Sequence, residues 1–137
     1  MKQSDDYLRD EYAMAFPETL DFWRNAAEGI VVVPRCNACS KVHWHPRAHC
    51  PFCHGVDLTW EKSSGKGQVY SFTVVRRKDA PYLLAYVLID EGPILMTNIV
   101  DCELADAYIG MPVKVAFRAT EQGRQVPVFR PESASCI

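Results

Sequence analysis

The C-terminal half of the chain alternates. Tyr70, Phe72 and Val74 are interleaved with Ser71 and Thr73, and Val113, Val115 and Phe117 with Lys114 and Arg118. A period of two sends successive side chains to opposite faces, so these runs predict half-buried strands. Five strands are expected, over 68–76, 83–90, 94–100, 113–119 and 126–130. Glu91-Gly92-Pro93 makes the tight hairpin between the second and third. Between the third and fourth, Leu104, Ala105, Ala107 and Tyr108 predict a short helix within Glu103–Gly110. Three strands, a helix and two strands is the order of an OB-fold, a small five-stranded barrel.

The N-terminal part follows the helical period instead. Leu8, Tyr12 and Ala15 fall at i, i+4 and i+7, with Asp5 and Asp6 at the end where negative charge suits the helix dipole. Pro17 disfavours helix at Phe16 and suits the first position of a second helix. That helix carries Leu20, Trp23 and Ala27 on one face and is expected to stop at Gly29. Trp23 reads as a packing anchor. The intervening stretch holds two short β-like runs, Ile30–Val33 and Leu58–Glu61, and ends at the turn Ser63-Ser64-Gly65-Lys66-Gly67. The expected organisation is a helical arm over 1–29, a small module over 30–62 and the barrel over 63–137. The fold class is mainly β with N-terminal helices.

Composition narrows the function. The chain has 137 residues, 48% of them hydrophobic, which is globular, and that length predicts one domain, or one domain with a small satellite. The longest apolar run, Leu83–Ile89, falls far short of the ~20 residues a bilayer needs. The start, MKQSDD, shows no apolar signal core, so the cytoplasm is the expected location. Net charge is −2, and no stretch is basic enough to track a nucleic-acid backbone by itself. Arg76-Arg77-Lys78 and Tyr82 form the one patch that a single-stranded nucleic acid would use.

The chemistry sits in the middle module. Cys36-x-x-Cys39 and Cys50-x-x-Cys53 are separated by ten residues. Each pair can wrap a tight knuckle around one side of an ion, and the loop lets the second close a tetrahedron. Without an export signal, the spacing argues for a metal ahead of a disulfide framework or a redox dithiol. Zn²⁺ is expected, one per chain, with iron in a rubredoxin-like site as the other metal that four thiolates suit. Four protein ligands leave no open position, so such an ion is structural. His43, His45, His49 and His54 are read as surface residues, Asp90 and Glu91 as solvated, and Cys102 and Cys136 as inert. No common catalytic motif is present. Bound zinc with four thiolates would take the formal charge from −2 to about −4, against nucleic-acid binding.

Together these features resemble one family. Phe22-Trp23…Gly29, Arg35-Cys36-x-x-Cys39, His45-Pro46-Arg47…Cys50-Pro51-x-Cys53, Trp60 and Ser64-Gly65-x-Gly67-x-Val69-Tyr70-Ser71-Phe72-Thr73 are similar to the zinc-ribbon/OB-fold acyl-CoA-associated family, domain of unknown function thirty-five. Gly110-Met111-Pro112-Val113 and Pro127-Val128-Phe129-Arg130-Pro131 extend the likeness along nearly the whole chain. Where members of that family often carry Gly two residues after a metal Cys, this chain has Ser40 and His54-Gly55. The resemblance implies a rubredoxin-like zinc ribbon before the barrel, and a non-catalytic subunit of a thiolase-like acyl-CoA acyltransferase. The catalytic Cys and His would then belong to the partner, and a CoA ester would be shared with it. Its phosphates need cations, for which Arg76, Arg77 and Lys78 are the densest cluster. The alternatives are a single-stranded nucleic-acid-binding protein and a stand-alone acyl-CoA-binding protein. Tyr7, Tyr12, Phe16, Phe22 and Trp23 crowd the arm with aromatic surface, and with Trp44 they are the expected docking anchors of a hetero-oligomer.

Overall fold

The computed structural model describes residues 10–121 and 123–132. Leu8 and the aromatic Tyr7, the acidic Asp5 and Asp6, and Cys136 lie outside the described residues. Helix α1 spans Glu11–Ala15, with the Asp10 carboxylate accepting from the Tyr12 amide at 2.8 Å as its N-cap. Phe16 leaves the helical region, as the following proline requires. A 3₁₀ turn over Pro17–Thr19 then leads into α2, Leu20–Ala26. The Thr19 hydroxyl joins the two turns: it donates to the Phe16 carbonyl at 2.6 Å and accepts from Trp23 Nε1 at 3.0 Å. Helix α2 ends earlier than Gly29. Ala27 is its C-cap, and Gly29 (φ +80°) reverses the chain so that the Ile30 amide reaches the Asn25 carbonyl.

Strand β1 (Val32–Cys36) pairs antiparallel with β2 (Leu58–Lys62), from Val32 opposite Lys62 to Cys36 opposite Leu58. The first strand is set later than the apolar run suggests, and this delivers Cys36 at its end. The remaining strands are β3 (Lys66–Val75), β4 (Tyr82–Ile89), β5 (Ile94–Ile99), β6 (Pro112–Ala119) and β7 (Gln125–Pro131). They close a barrel in the order β3-β4-β5-β7-β6. The five predicted strands are all present, each end within two residues of its expected place.

Two departures have physical causes. Strand β3 starts inside the expected turn, because Lys66, Gly67 and Gln68 pair with Lys114, Val113 and Pro112 of β6. A Cβ at Gly67 would sit 2.5 Å from the Leu88 carbonyl oxygen, so only glycine lets the strands approach this closely. The expected helix over Glu103–Gly110 is a single 3₁₀ turn, Leu104–Asp106, after which Ala107 is extended. Tyr108 and Ile109 are exposed and give a helix nothing to pack on. The backbone bonds elsewhere: the Gly110 amide donates to the Val69 carbonyl, and the Val69 amide to the Met111 carbonyl. These bonds flank a bulge between Val69 and Ser71.

The described chain forms two compact units, one of residues up to Ser63 with Phe117–Val126, the other of Ser64–Ala116 with residues from Pro127 onward. Phe22, Trp23, Ala26 and Val31–Val33 fill the first core; Val69, Leu83, Val87, Leu95, Val113 and Phe129 fill the second. Among the described residues no helix is long and apolar enough to cross a membrane.

Candidate metal centre

The two C-x-x-C segments fold into matching knuckles. The Ser40 amide donates to the Cys36 carbonyl, and the His54 amide to the Cys50 carbonyl, at 2.8 and 2.9 Å. One residue further on, the Cys36 amide donates to the Lys41 carbonyl and the Cys50 amide to the Gly55 carbonyl. The fourth residue after each leading cysteine turns left-handed, Ser40 at φ +65° and His54 at φ +67°. A glycine would adopt this turn without strain. The chain keeps the knuckle geometry with Ser and His in its place. Gly55 is needed for space, since a Cβ there would lie 3.3 Å from Cys53 Sγ and 3.6 Å from Cys36 Sγ.

The knuckles converge on one point. All four Sγ atoms lie within 4.8 Å of one another, with Cys36 to Cys53 at 3.5 Å and Cys39 to Cys50 at 3.7 Å. A disulfide needs about 2.05 Å, whereas thiolates at 2.3 Å around one tetrahedral ion are about 3.8 Å apart. The donor set therefore fits a tetrahedral thiophilic ion. Amides tune two of the sulfurs toward it, whereas at Cys53 the Gly55 amide is outweighed by the neighbouring Cys36, Cys39 and Cys50 thiols and by burial, which push it up to about 11. Hydrogen bonding from the Cys39 amide holds the Cys36 thiol below its ordinary value. At Cys50 burial opposes ionisation, but the Cys53 and Phe52 amides outweigh it and bring the thiol to about 7.

Neighbouring polar groups brace the frame. Arg35 grips Glu61 across β1 and β2 with Nε and Nη2 at 3.0 and 3.1 Å, and its Nη1 donates to the Ser40 carbonyl at 2.9 Å. Asn37 Nδ2 donates to Asp57 and Thr59, fastening the first knuckle to the start of β2.

The four histidines do not behave alike. His49 and His54 are exposed as expected, and His45 is half-buried with Nε2 3.3 Å from the Tyr12 hydroxyl. His43 contradicts the surface reading, being only 2% exposed. Val42 bridges to Arg35, and the His43 amide bonds to the Pro34 carbonyl, so this short pairing turns the ring inward. Burial, and then the nearby Arg47 charge, hold its pKa below the ordinary value.

The aromatic arm is also more self-contained than expected. Phe22 and Trp23 are buried, and Trp44 is half-buried with its ring 5.0 Å from that of Phe22. Their surface is spent inside the first unit, leaving Tyr12 and Phe16 exposed. Sequence reasoning missed the residue that organises this cluster. Arg124 sits 4.4 Å over the Trp23 ring and 4.9 Å over the Tyr12 ring, and pairs with Asp10 at 3.2 Å. Only its place in a hairpin tip was readable, and a charge there signals solvent.

In the other unit, Arg76, Arg77 and Lys78 are all exposed between β3 and β4, with the Arg77 guanidinium 5.4 Å over the Tyr82 ring. Asp90 and Glu91 are not simply solvated, because Ser64 donates to both, through Oγ and its amide, at 3.0 Å. The Cys102 thiol donates to the Glu103 carbonyl at 3.3 Å, and burial pushes its pKa up.

Comparison with known proteins agrees with this anatomy. Residues 23–59 match the family described as ChsH2, rubredoxin-like zinc ribbon domain, and residues 60–118 match ChsH2, C-terminal OB-fold domain. A DUF35 domain-containing scaffold protein of Methanocaldococcus jannaschii is 36% identical over 108 residues, covering 73% of this chain and 77% of that one. A protein of Thermomonospora curvata named "Probable enoyl-CoA hydratase alpha subunit" is 35% identical over 116 residues; the match covers 80% of this chain but 36% of that protein. Among solved structures, a chain of the Ltp2-ChsH2(DUF35) aldolase superposes with a TM-score of 0.74 at 33% identity, covering 82% of this chain and 93% of that one. With its Cys₄ ribbon, its closed barrel, matches to both ChsH2 domain models and relatives above 30% identity, the chain belongs to the DUF35 family of ChsH2-type zinc-ribbon/OB-fold proteins.

Proposed function

We propose that this protein is the non-catalytic subunit of a thiolase-like acyl-CoA acyltransferase, with one structural Zn²⁺ held by Cys36, Cys39, Cys50 and Cys53. The observation that carries the reading is the sulfur cluster. Four thiolates at tetrahedral spacing saturate an ion, so the site supports a frame and offers no position to a substrate. When bound, zinc supplies four bonds that tie the two knuckles together, contributing directly to folding. The chain's own residues do the rest: Arg35 and Asn37 fasten the knuckles to the β1–β2 hairpin, and Gly55 keeps the sulfur pocket open to its four donors.

The names of relatives support an accessory role. One is called a scaffold protein, and another is a component of an aldolase. In this reading the partner holds the catalytic groups, while the exposed Arg76, Arg77 and Lys78 offer cations to the phosphates of the CoA ester. The aldolase and hydratase names favour, as a second reading, a catalytic chain that cleaves or hydrates an acyl-CoA instead of transferring its acyl group.

Co-expression with a thiolase-like chain, followed by size-exclusion chromatography, tests the assignment. A stable complex is expected, with activity that depends on this chain. A partner that is folded and fully active alone, and never co-elutes, would overturn it. In the assembled enzyme, Arg76→Ala with Arg77→Ala should raise the apparent KM for the CoA ester and leave kcat in place. An unchanged KM would remove the cluster from CoA binding.

A further inference from the structure

A buried ring of the first unit is left without bonding partners. His43 is 2% exposed, and among the described residues neither Nδ1 nor Nε2 finds a hydrogen bond. A neutral imidazole has one donor and one acceptor, so both give up water on folding and neither gains a protein partner. A proton would make this burial far worse. The imidazolium carries two donors and a charge, and a buried charge needs a partner. The Pro34 carbonyl of β1 is already taken by the His43 amide, at 3.1 Å. Arg35, the next residue of β1, is committed to Glu61 and to the Ser40 carbonyl. Two residues on, His45 meets the Tyr12 hydroxyl and the field of Glu18. Among the described residues the charge that acts on the His43 ring is the Arg47 guanidinium, of the proton's own sign, and no carboxylate offsets it.

The pairing that holds His43 inward also carries the first knuckle. Val42 bridges to Arg35, and the Cys36 amide donates to the Lys41 carbonyl at 2.9 Å. Parting residues 41–43 from β1 therefore loosens the strand end that delivers Cys36. We propose that His43 is an acid-sensitive latch: its neutral ring lets residues 41–43 close on β1, and protonation forces that pairing open and frees the first knuckle. The opening needs no metal, whereas the loss of the ion that follows it rests on the proposed zinc site. The sign follows from burial. The open form takes up a proton near the ordinary 6.5, and the closed form resists it. The latch is thus fully closed above that pH and is lost as pH falls from there through the folded pKa. One proton taken up per opening gives roughly a tenfold gain in the open fraction between about pH 7.5 and 5.5.

The test uses the full chain, followed by tryptophan fluorescence in urea and by zinc release to a coloured chelator over that pH range. Trp23, Trp44 and Trp60 all belong to the first unit, so the fluorescence reports its opening. His43→Phe keeps a ring, has no proton to take up and forfeits no hydrogen bond, so it should fold at neutral pH. The other histidines and the cysteine thiols titrate in both chains, so the difference between them isolates His43. Wild type should gain roughly tenfold in opening over the variant on acidification, with zinc leaving over the same range. If His43→Phe does not fold, proton NMR of the wild-type ring carries the test: its signal should keep the neutral position through about pH 6.5 in the folded chain. Equal pH dependence in the two chains, or a folded ring that titrates at its ordinary value, would overturn the latch. The expected acid opening in a chain that holds no zinc at neutral pH would uphold the latch and overturn the zinc assignment.

Discussion

Arg124→Ala should loosen the first unit far more than the loss of one hairpin-tip charge suggests. The Arg124 and Asp10 side chains are only 14% and 7% exposed at their 3.2 Å ion pair, and the guanidinium lies over the Trp23 and Tyr12 rings. Removing one partner of a buried pair costs about 3–5 kcal/mol, because the other charge is stranded. Asp10 keeps its bond to the Tyr12 amide, which places the expected loss near the lower end, about 3 kcal/mol. The stacking contacts are part of that figure, at about 0.5–1 kcal/mol or more each. Urea unfolding followed by tryptophan fluorescence reports the region directly, since Trp23 is one of the stacked rings. A double-mutant cycle with Asp10→Asn should give a coupling of about 2 kcal/mol. The pH dependence has a definite sign. Burial raises the Asp10 pKa, but the Tyr12 amide and Arg124 lower it more, to below the ordinary 3.8. Its contribution is therefore present above that value and fades as pH falls through the folded pKa. The gap between wild type and Arg124→Ala should narrow in strong acid to the part that the ring contacts supply. A loss below about 0.5 kcal/mol, or an additive cycle, would refute the clasp.

Two further outcomes follow from the frame. Cys39→Ser should lose the metal and unfold the ribbon, read as zinc content and circular dichroism; unchanged zinc would remove Cys39 from the ligand set. Gly67→Ala should cost about 1–3 kcal/mol by pushing β3 off the Leu88 carbonyl, measured as a lower midpoint in chemical denaturation; wild-type stability would show that the strand gives way freely.

Much of the fold is legible because its signals are local. The period-two runs place five strands, and two C-x-x-C pairs bring four sulfurs together whatever the loop between them does. What is not legible depends on distant partners. The start of β3 is decided by β6 across the barrel, and the segment after Glu103 bonds to Val69 in preference to forming a helix. His43 is turned inward by a bridge that Val42 makes to Arg35, and Arg124 is buried by rings roughly a hundred residues earlier in the sequence.

Four thiolates closing on one ion make a structural site, and X-ray absorption at the zinc edge of the purified chain reads its ligands. One zinc per chain is expected, with four sulfur neighbours at about 2.3 Å and no lighter scatterer. A nitrogen or oxygen ligand in the first shell would contradict it.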